Sequence, residues 1–209
     1  MLNPVLRQID LANGLTLVGL LLSTFSSIFA IQGQFYIALI CLIYAGIIDL
    51  FDGFVARKIE RTELQSQVGK QIDSIVDVCS FGCTPVVFAY CFGLRDPLSV
   101  AVLMVYISAV AMRLAYFNCA GLSSQGTEQY FTGLPTTYAA LFIPLTCLAS
   151  FALSEPLMKM VLDSLYLALA IAMVADFKML KLRGIWYGIF SLAALVGTVV
   201  YGWAIAVGL

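Results

Sequence analysis

Seven apolar runs of transmembrane length divide this chain and leave it few folds: about Gly14 to Ile31, Phe35 to Ala56, Val68 to Phe92, Leu98 to Cys119, Leu134 to Leu153, Leu157 to Met179 and Ile185 to Val207. Inside a bilayer every backbone N–H and C=O must find its partner within the protein, so a run of roughly 20 apolar residues reads as a helix. The expected fold class is all-α, a polytopic integral membrane protein with about seven transmembrane helices. An apolar share of 62%, against roughly 45–50% in soluble domains, supports the same reading. Met1 to Ala12 carries Arg7 and Asp10 among apolar residues. It is expected to form an interfacial lead-in that stays attached, since no small-residue cleavage site closes the run after Asn13.

Basic residues orient the helices. Arg7 precedes the first run, Arg57, Lys58, Arg61 and Lys70 surround the second connection, and Lys178, Lys181 and Arg183 surround the sixth. A cytoplasmic N-terminus puts all of these on the inner side and leaves Arg95 and Lys159 outside, which is the bias that sets topology. The expectation is an inner or cytoplasmic membrane, N-terminus in and C-terminus out. With no linker rich in Pro, Gly or Ser and no repeat, residues 1–209 are expected to form one domain. No nucleic-acid partner is expected. The six cysteines fall in apolar runs without a C-x-x-C pair and read as small buried hydrophobes. Histidine is absent, so acid–base chemistry falls to carboxylates, Tyr, Lys or Cys.

Asp49, Asp52, Asp73 and Asp77 interrupt two successive apolar runs. Each carboxylate at membrane depth costs roughly 2.5–3.5 kcal/mol on insertion scales, so four in close succession require compensating charge. The members of each pair stand three or four residues apart, which puts them on one helix face, and two antiparallel helices bring the pairs to matching depth. Facing carboxylates select a hard divalent cation, Mg²⁺, Mn²⁺ or Ca²⁺, with two ions favoured over one. Gly53 and Gly69 beside the acids either allow close helix packing or make room for a bulky ligand. Arg57, one turn beyond Gly53, is placed either as an interfacial anchor or as a phosphate clamp. Asp163 and Asp176 read as helix contacts or cavity-lining residues.

The order Asp49-x2-Asp52-Gly53-x2-Ala56-Arg57, then Gly69-x3-Asp73-x3-Asp77, resembles the signature of the CDP-alcohol phosphotransferases, membrane enzymes that build phospholipid head groups. The resemblance implies that Asp49, Asp52, Asp73 and Asp77 hold two divalent cations, Mg²⁺ or Mn²⁺, on the diphosphate of a CDP-linked donor. It implies that Gly53 and Gly69, with Ala56 in the same stretch, make room for the nucleotide, that Arg57 contacts phosphate, and that Asp77 is also the base for the acceptor hydroxyl. Asn13 and Thr16, in Asn13-Gly-Leu-Thr16, resemble the family's first-helix motif near the nucleotide. A homodimer is implied in the same way. The spacing from Arg57 to Gly69 is longer than the usual family spacing. The added residues fall in the polar loop Lys58 to Gln67, where length is tolerated, so the site is expected to be intact.

Three further stretches, Asp77-Val-Cys-Ser80-Phe81-Gly82, Arg113-Leu-Ala-Tyr-Phe117-Asn118 and Phe131-Thr-Gly133-Leu134-Pro135, resemble the phosphatidylserine synthase branch. That likeness implies transfer of a phosphatidyl group from CDP-diacylglycerol to L-serine, with Arg113, Asn118 and Ser80 contacting the acceptor. Tyr116 stands where that branch more commonly carries a second Arg, which keeps open another small alcohol: glycerol phosphate, an inositol compound or choline. An aromatic cage including Tyr116 would suit choline. A divalent-cation transporter is the reading from another class, but acids confined to one face of the membrane beside Arg57 suit a surface-opening site better than a pore.

Overall fold

The structure is a computed structural model that describes residues 3–120, 123–125, 128–180 and 185–208, with side chains described for all of these but 123–125, 128–131, 180, 185–187 and 189. Lys181 and Arg183, two of the cations used to orient the helices, lie outside the described residues, as does the side chain of Phe131. Helices α1 (Leu11–Ile31) and α2 (Phe35–Ala56) form an antiparallel hairpin. Its turn passes through Gly33 at φ 74°, a left-handed conformation that glycine adopts without a Cβ penalty. The polar loop that follows leads into α3 (Glu63–Asp77) through a capping box: Thr62 accepts from the Gln65 N–H, and Gln65 accepts from the Thr62 N–H. Such a box satisfies donors that a helix start leaves open.

A π-helical turn, Val78–Cys83, joins α3 to α4 (Thr84–Phe92), and together they make one 30-residue span, Glu63–Phe92. Asp96 caps α5 (Pro97–Ala120) by accepting from the N–H groups of Leu98 and Ser99. Beyond α5 come the strands β1 (Ser123–Gln125) and β2 (Glu128–Thr132), then α6 (Ala139–Cys147), α7 (Glu155–Val174), β3 (Lys178–Leu180) and α8 (Ile185–Val207). The strands form a small antiparallel sheet in the order β1-β2-β3, with Ser124 opposite Gln129 and Phe131 opposite Met179. This sheet, which the apolar periodicity gave no reason to expect, ties the α5–α6 connection to the α7–α8 connection.

Among the described residues six helices are long and apolar enough to cross a membrane, and the architecture is that of an all-α polytopic membrane protein. The fifth of the seven expected spans, Leu134 to Leu153, is instead a shorter apolar segment, Thr136–Phe151, in which 3-10 turns flank α6. Pro144 lies inside α6. It supplies no N–H and its ring crowds the preceding turn, which accounts for the break in regularity. Cys147 is the one buried cysteine of the six. Cys83 and Cys119 are exposed, on outward faces where the apolar surroundings are the bilayer's rather than a protein core.

Pro85 removes the helical donor of one backbone carbonyl, and buried tyrosines bond to that carbonyl and to two proline carbonyls. The helical partner of the Phe81 carbonyl would be the N–H of residue 85, which is a proline. The Tyr106 hydroxyl of α5 donates to that carbonyl instead, at 2.5 Å. Tyr166 of α7 donates to the Pro85 carbonyl at 2.7 Å, and Tyr201 of α8 donates to the Pro144 carbonyl. All three tyrosines are fully buried, so each buries a large ring and satisfies a carbonyl that hydrocarbon could not.

Helix α6 crosses α2 at Gly46, where an added Cβ would lie 2.7 Å from the Cβ of Ala140. Gly46→Ala is expected to destabilise the protein by about 1–3 kcal/mol through overpacking, read as a lower melting temperature in detergent. Gly14→Ala is the control. Nothing lies within 4 Å of a Cβ built there, so the better helix propensity of Ala should leave the melting temperature unchanged or raised.

Candidate active site

The two helices that carry the acids face each other. One carboxylate oxygen from each of Asp49, Asp52 and Asp73 lies within 4.8 Å of the others, and Asp77, one turn further along α3, lines the same cavity. Carboxyl groups gathered this closely need a proton or a cation among them. Hydroxyls on neighbouring elements set the orientation of the acids. Thr16 of α1 donates to Asp52 Oδ2 at 2.5 Å, and Thr137, in the 3-10 turn before α6, donates to Asp49 Oδ2 at 2.8 Å. Asp52 and Asp77 are 5% and 8% exposed, and Asp77 Oδ1 has no hydrogen-bond partner among the described residues. Converging oxygens with one buried and unpartnered fit a hard divalent cation, which takes oxygen ligands.

The π-turn begins at Val78, directly after Asp77. Wider turns of this kind shift the register of a helix and are frequent at functional sites. Here the shift lets α3 aim Asp73 and Asp77 at α2 while α4 directs Phe88 into the core.

The acids line a cavity of about 750 Å³. Gly53, Arg57, Arg113 and Asn118 line it with them, and its remaining wall is apolar, from α6 (Leu141, Leu145) and α8 (Val196, Tyr201) among others. At Gly53 a Cβ would meet only the far end of Arg57, at 3.8 Å, so this glycine keeps its helix surface open to the cavity. Arg57 caps the end of α2 and is exposed. Ala56, the last residue of α2, is half-buried. Arg113 is buried at 7% exposure, lies over the Phe117 ring at 5.4 Å, and is close enough to attract Asp77 and Asp49. Asn118 donates to Ser74 Oγ at 2.8 Å.

Other candidates are placed elsewhere. Ser80 is buried and donates to Ser23 Oγ at 2.9 Å; it does not line the cavity. Tyr116 is 56% exposed and lies outside the lining, where it forms no part of a cage. Asp163 accepts from Ser99 of α5 at 2.9 Å, a contact between helices. Asn13 and Gly69 meet each other away from the cavity. Asn13 donates to the Gln8 and Gln65 carbonyls and accepts from Arg61 at 2.5 Å, and a Cβ on Gly69 would lie 2.4 Å from Arg61 Nη2 and 2.5 Å from Asn13 Oδ1. Thr137, Ser74 and Arg61 were not anticipated from the sequence. Thr137 stands two residues after Pro135 of the Phe131-to-Pro135 stretch, and that proximity is the signal that could have found it.

Clustered carboxylates and an apolar wall thus share one cavity. The family model of the CDP-alcohol phosphatidyltransferases matches residues 9–178, and the chain belongs to that family. Members use CDP-alcohol substrates, act in membranes and generally depend on divalent cations. The chain is 34% identical over 119 residues to the CDP-diacylglycerol-serine O-phosphatidyltransferase of Mycobacterium tuberculosis, a match covering 54% of this chain and 40% of that relative. It is 36% identical over 92 residues to the Saccharomyces cerevisiae protein of the same name (42% and 32% covered). Over 127 residues it is 34% identical to the archaetidylserine synthase of Methanothermobacter thermautotrophicus (56% and 49% covered). The chain thus matches less than half the length of each of these relatives.

Ligand linkage gives a direct check of the acidic cluster. Mn²⁺ at 100 times its dissociation constant should stabilise the folded protein by about 2.7 kcal/mol, raising the melting temperature. EDTA should reverse the rise, and Asp73→Asn should remove it.

Proposed function

We propose that the chain transfers a phosphatidyl group from CDP-diacylglycerol to the hydroxyl of L-serine, releasing CMP and forming phosphatidylserine. The observation that carries this reading is the continuity, in one cavity, of converging carboxylates with an apolar wall: the first suits a diphosphate bound through cations, the second the lipid that bears it. The names of the relatives support serine as acceptor. A cavity that joins clustered acids to a largely apolar wall is also a better match to a lipid substrate than to an ion path.

Asp49, Asp52, Asp73 and Asp77 are assigned to two divalent cations, Mg²⁺ or Mn²⁺. When bound, these supply positive charge to the donor diphosphate and to the departing CMP. Gly53 of α2 and Arg57 at the end of that helix are assigned to the CDP moiety, Arg57 as a phosphate contact through its forked donors; Ala56, Gly69, Asn13 and Thr16 do not line the cavity and are not assigned to it, since Gly69 and Asn13 pack against Arg61 and Thr16 holds Asp52. Arg113 and Asn118 are assigned to serine, the guanidinium drawing its carboxylate. Ser80, engaged with Ser23, is assigned to packing instead. Asp77 is the base. Its unpartnered Oδ1 takes the hydroxyl proton as the serine oxygen bonds to the phosphorus next to diacylglycerol. The bond from that phosphorus to the CMP oxygen breaks, and its electron pair leaves with CMP. The buried setting holds the reactants close and limits competing water.

Residues 1–209 are proposed to act as one domain. The N-terminus is assigned to the cytoplasm and the site to the cytoplasmic side of an inner membrane, an orientation supported by Arg7, Arg57, Lys58, Arg61 and Lys70 on one side. A homodimer is the proposed assembly, on the family resemblance.

The test is CMP release by the purified protein with CDP-diacylglycerol and Mn²⁺ or Mg²⁺, against serine, glycerol 3-phosphate, inositol, inositol phosphate and choline. Release stimulated by serine alone, and abolished by chelator, is expected. Stimulation by another alcohol instead would move the acceptor assignment, and silence with every acceptor would reject the transferase reading for these substrates. Asp77→Asn should lower kcat by about 10²–10⁴-fold while CDP-diacylglycerol binding persists; turnover at the wild-type rate would remove Asp77 from the role of base.

A further inference from the structure

Arg61 lies in the polar loop between α2 and α3 and does not line the cavity, yet it makes the one ion pair among the described residues. Its Nε donates to Asp10 Oδ2 at 2.6 Å, with the two side chains only 13% and 11% exposed. Its Nη2 donates to Asn13 Oδ1 at 2.5 Å and to the Gln65 carbonyl at 2.9 Å. These partners are two helix starts. Asp10 is the N-cap of α1, accepting from the Asn13 N–H at 2.8 Å. Gln65 belongs to the capping box of α3 and also donates through its side chain to the Arg7 carbonyl at 3.1 Å. Gly69 leaves the space that the knot needs, since a Cβ there would collide with both Arg61 Nη2 and Asn13 Oδ1.

The knot has a direct route to the acids. Thr16 is three residues beyond Asn13 on α1, so the two share a helix face, and the Thr16 hydroxyl is the group that holds Asp52 Oδ2. Helix α3, at the other end of the knot, carries Asp73 and Asp77. We propose that Arg61 is a positioning residue for the metal-binding acids: by locking the first turn of α1 to the first turn of α3 it keeps Thr16 against Asp52 and so presets the carboxylate for a divalent cation. Groups that orient ligands from outside the coordination shell typically change metal affinity by 10–100-fold when removed. The inference rests on the cation site assigned to Asp49, Asp52, Asp73 and Asp77.

Titration of the full-length protein in detergent with Mn²⁺, following free Mn²⁺ by electron paramagnetic resonance, tests it without recourse to turnover. Arg61→Ala and Thr16→Val should each weaken Mn²⁺ binding by about tenfold. Because both act through the same Asp52 oxygen, the double variant should also lose about tenfold, where independent effects would multiply to about a hundredfold. Arg61→Lys, which keeps the ion pair with Asp10, should recover most of the affinity. Asp10→Asn keeps a competent N-cap but removes the charge paired with Arg61, and should weaken binding even if Arg61→Ala proves too unstable to purify. Unchanged affinity in Arg61→Ala or in Asp10→Asn, or multiplied losses in the double variant, would overturn the positioning role while leaving the cation site in place. A wild-type protein that binds no Mn²⁺ would remove the cation site itself, and this role with it.

Discussion

Four carboxylates inside a membrane bundle set the condition that the rest of this structure meets. Asp49 and Asp52 on α2 and Asp73 and Asp77 on α3 line one cavity, with oxygens of the first three within 4.8 Å of one another. In an apolar surround such charges repel strongly and cannot be left to solvent. The surrounding residues act on that condition. Thr16 and Thr137 each engage one oxygen of one acid, Arg113 and Arg57 bring positive charge to the same cavity, and the oxygens left over converge on the space assigned to divalent cations. What looks like a destabilising cluster in the sequence is, on the proposed reading, an anion-binding device completed by cations.

Holding two helices in that relation requires a rigid frame, and the frame is built from polar contacts that hydrocarbon makes obligatory. The π-turn and Pro85 interrupt the α3–α4 span, and Tyr106 and Tyr166 close the break from α5 and α7. Pro144 interrupts α6, and Tyr201 from α8 bonds its carbonyl. The π-turn follows Asp77 directly and Pro144 lines the cavity, and each interruption is bonded by a tyrosine from another helix. The irregular segments thus shape the site while the long helices supply its support. The apolar wall between α6 and α8 then gives the lipid part of the proposed donor a surface continuous with the carboxylates.

Much of this was legible from residue spacing. Apolar run lengths identified the spanning helices, and separations of three and four residues put Asp49 with Asp52 and Asp73 with Asp77 on common faces, as found. Spacing reports only contacts within one helix, however, and the misses are contacts between elements. Thr137 reaches Asp49 across 88 residues of chain, and Arg61 reaches Asp10 across 51, so neither leaves a local pattern. Ser80 and Tyr116 sit in motif-like stretches, but the packing of α1 turns the first toward Ser23 and the second lies on an exposed face. The fifth span fell short because mean apolar character does not fix where a helix starts and stops: the helical segment runs only Thr136–Phe151. Gly69 shows how one residue can carry two readings: room for a nucleotide by resemblance, and room for Arg61 by geometry.

The central claim is that the four carboxylates hold divalent cations in place for a donor diphosphate. Anomalous diffraction at the manganese edge, from crystals grown with Mn²⁺ and CDP, tests it most directly. Two peaks bounded by Asp49, Asp52, Asp73 and Asp77, with the diphosphate against them, are the predicted result. Manganese bound elsewhere, or CDP seated in the cavity with no metal between it and these acids, would contradict the account.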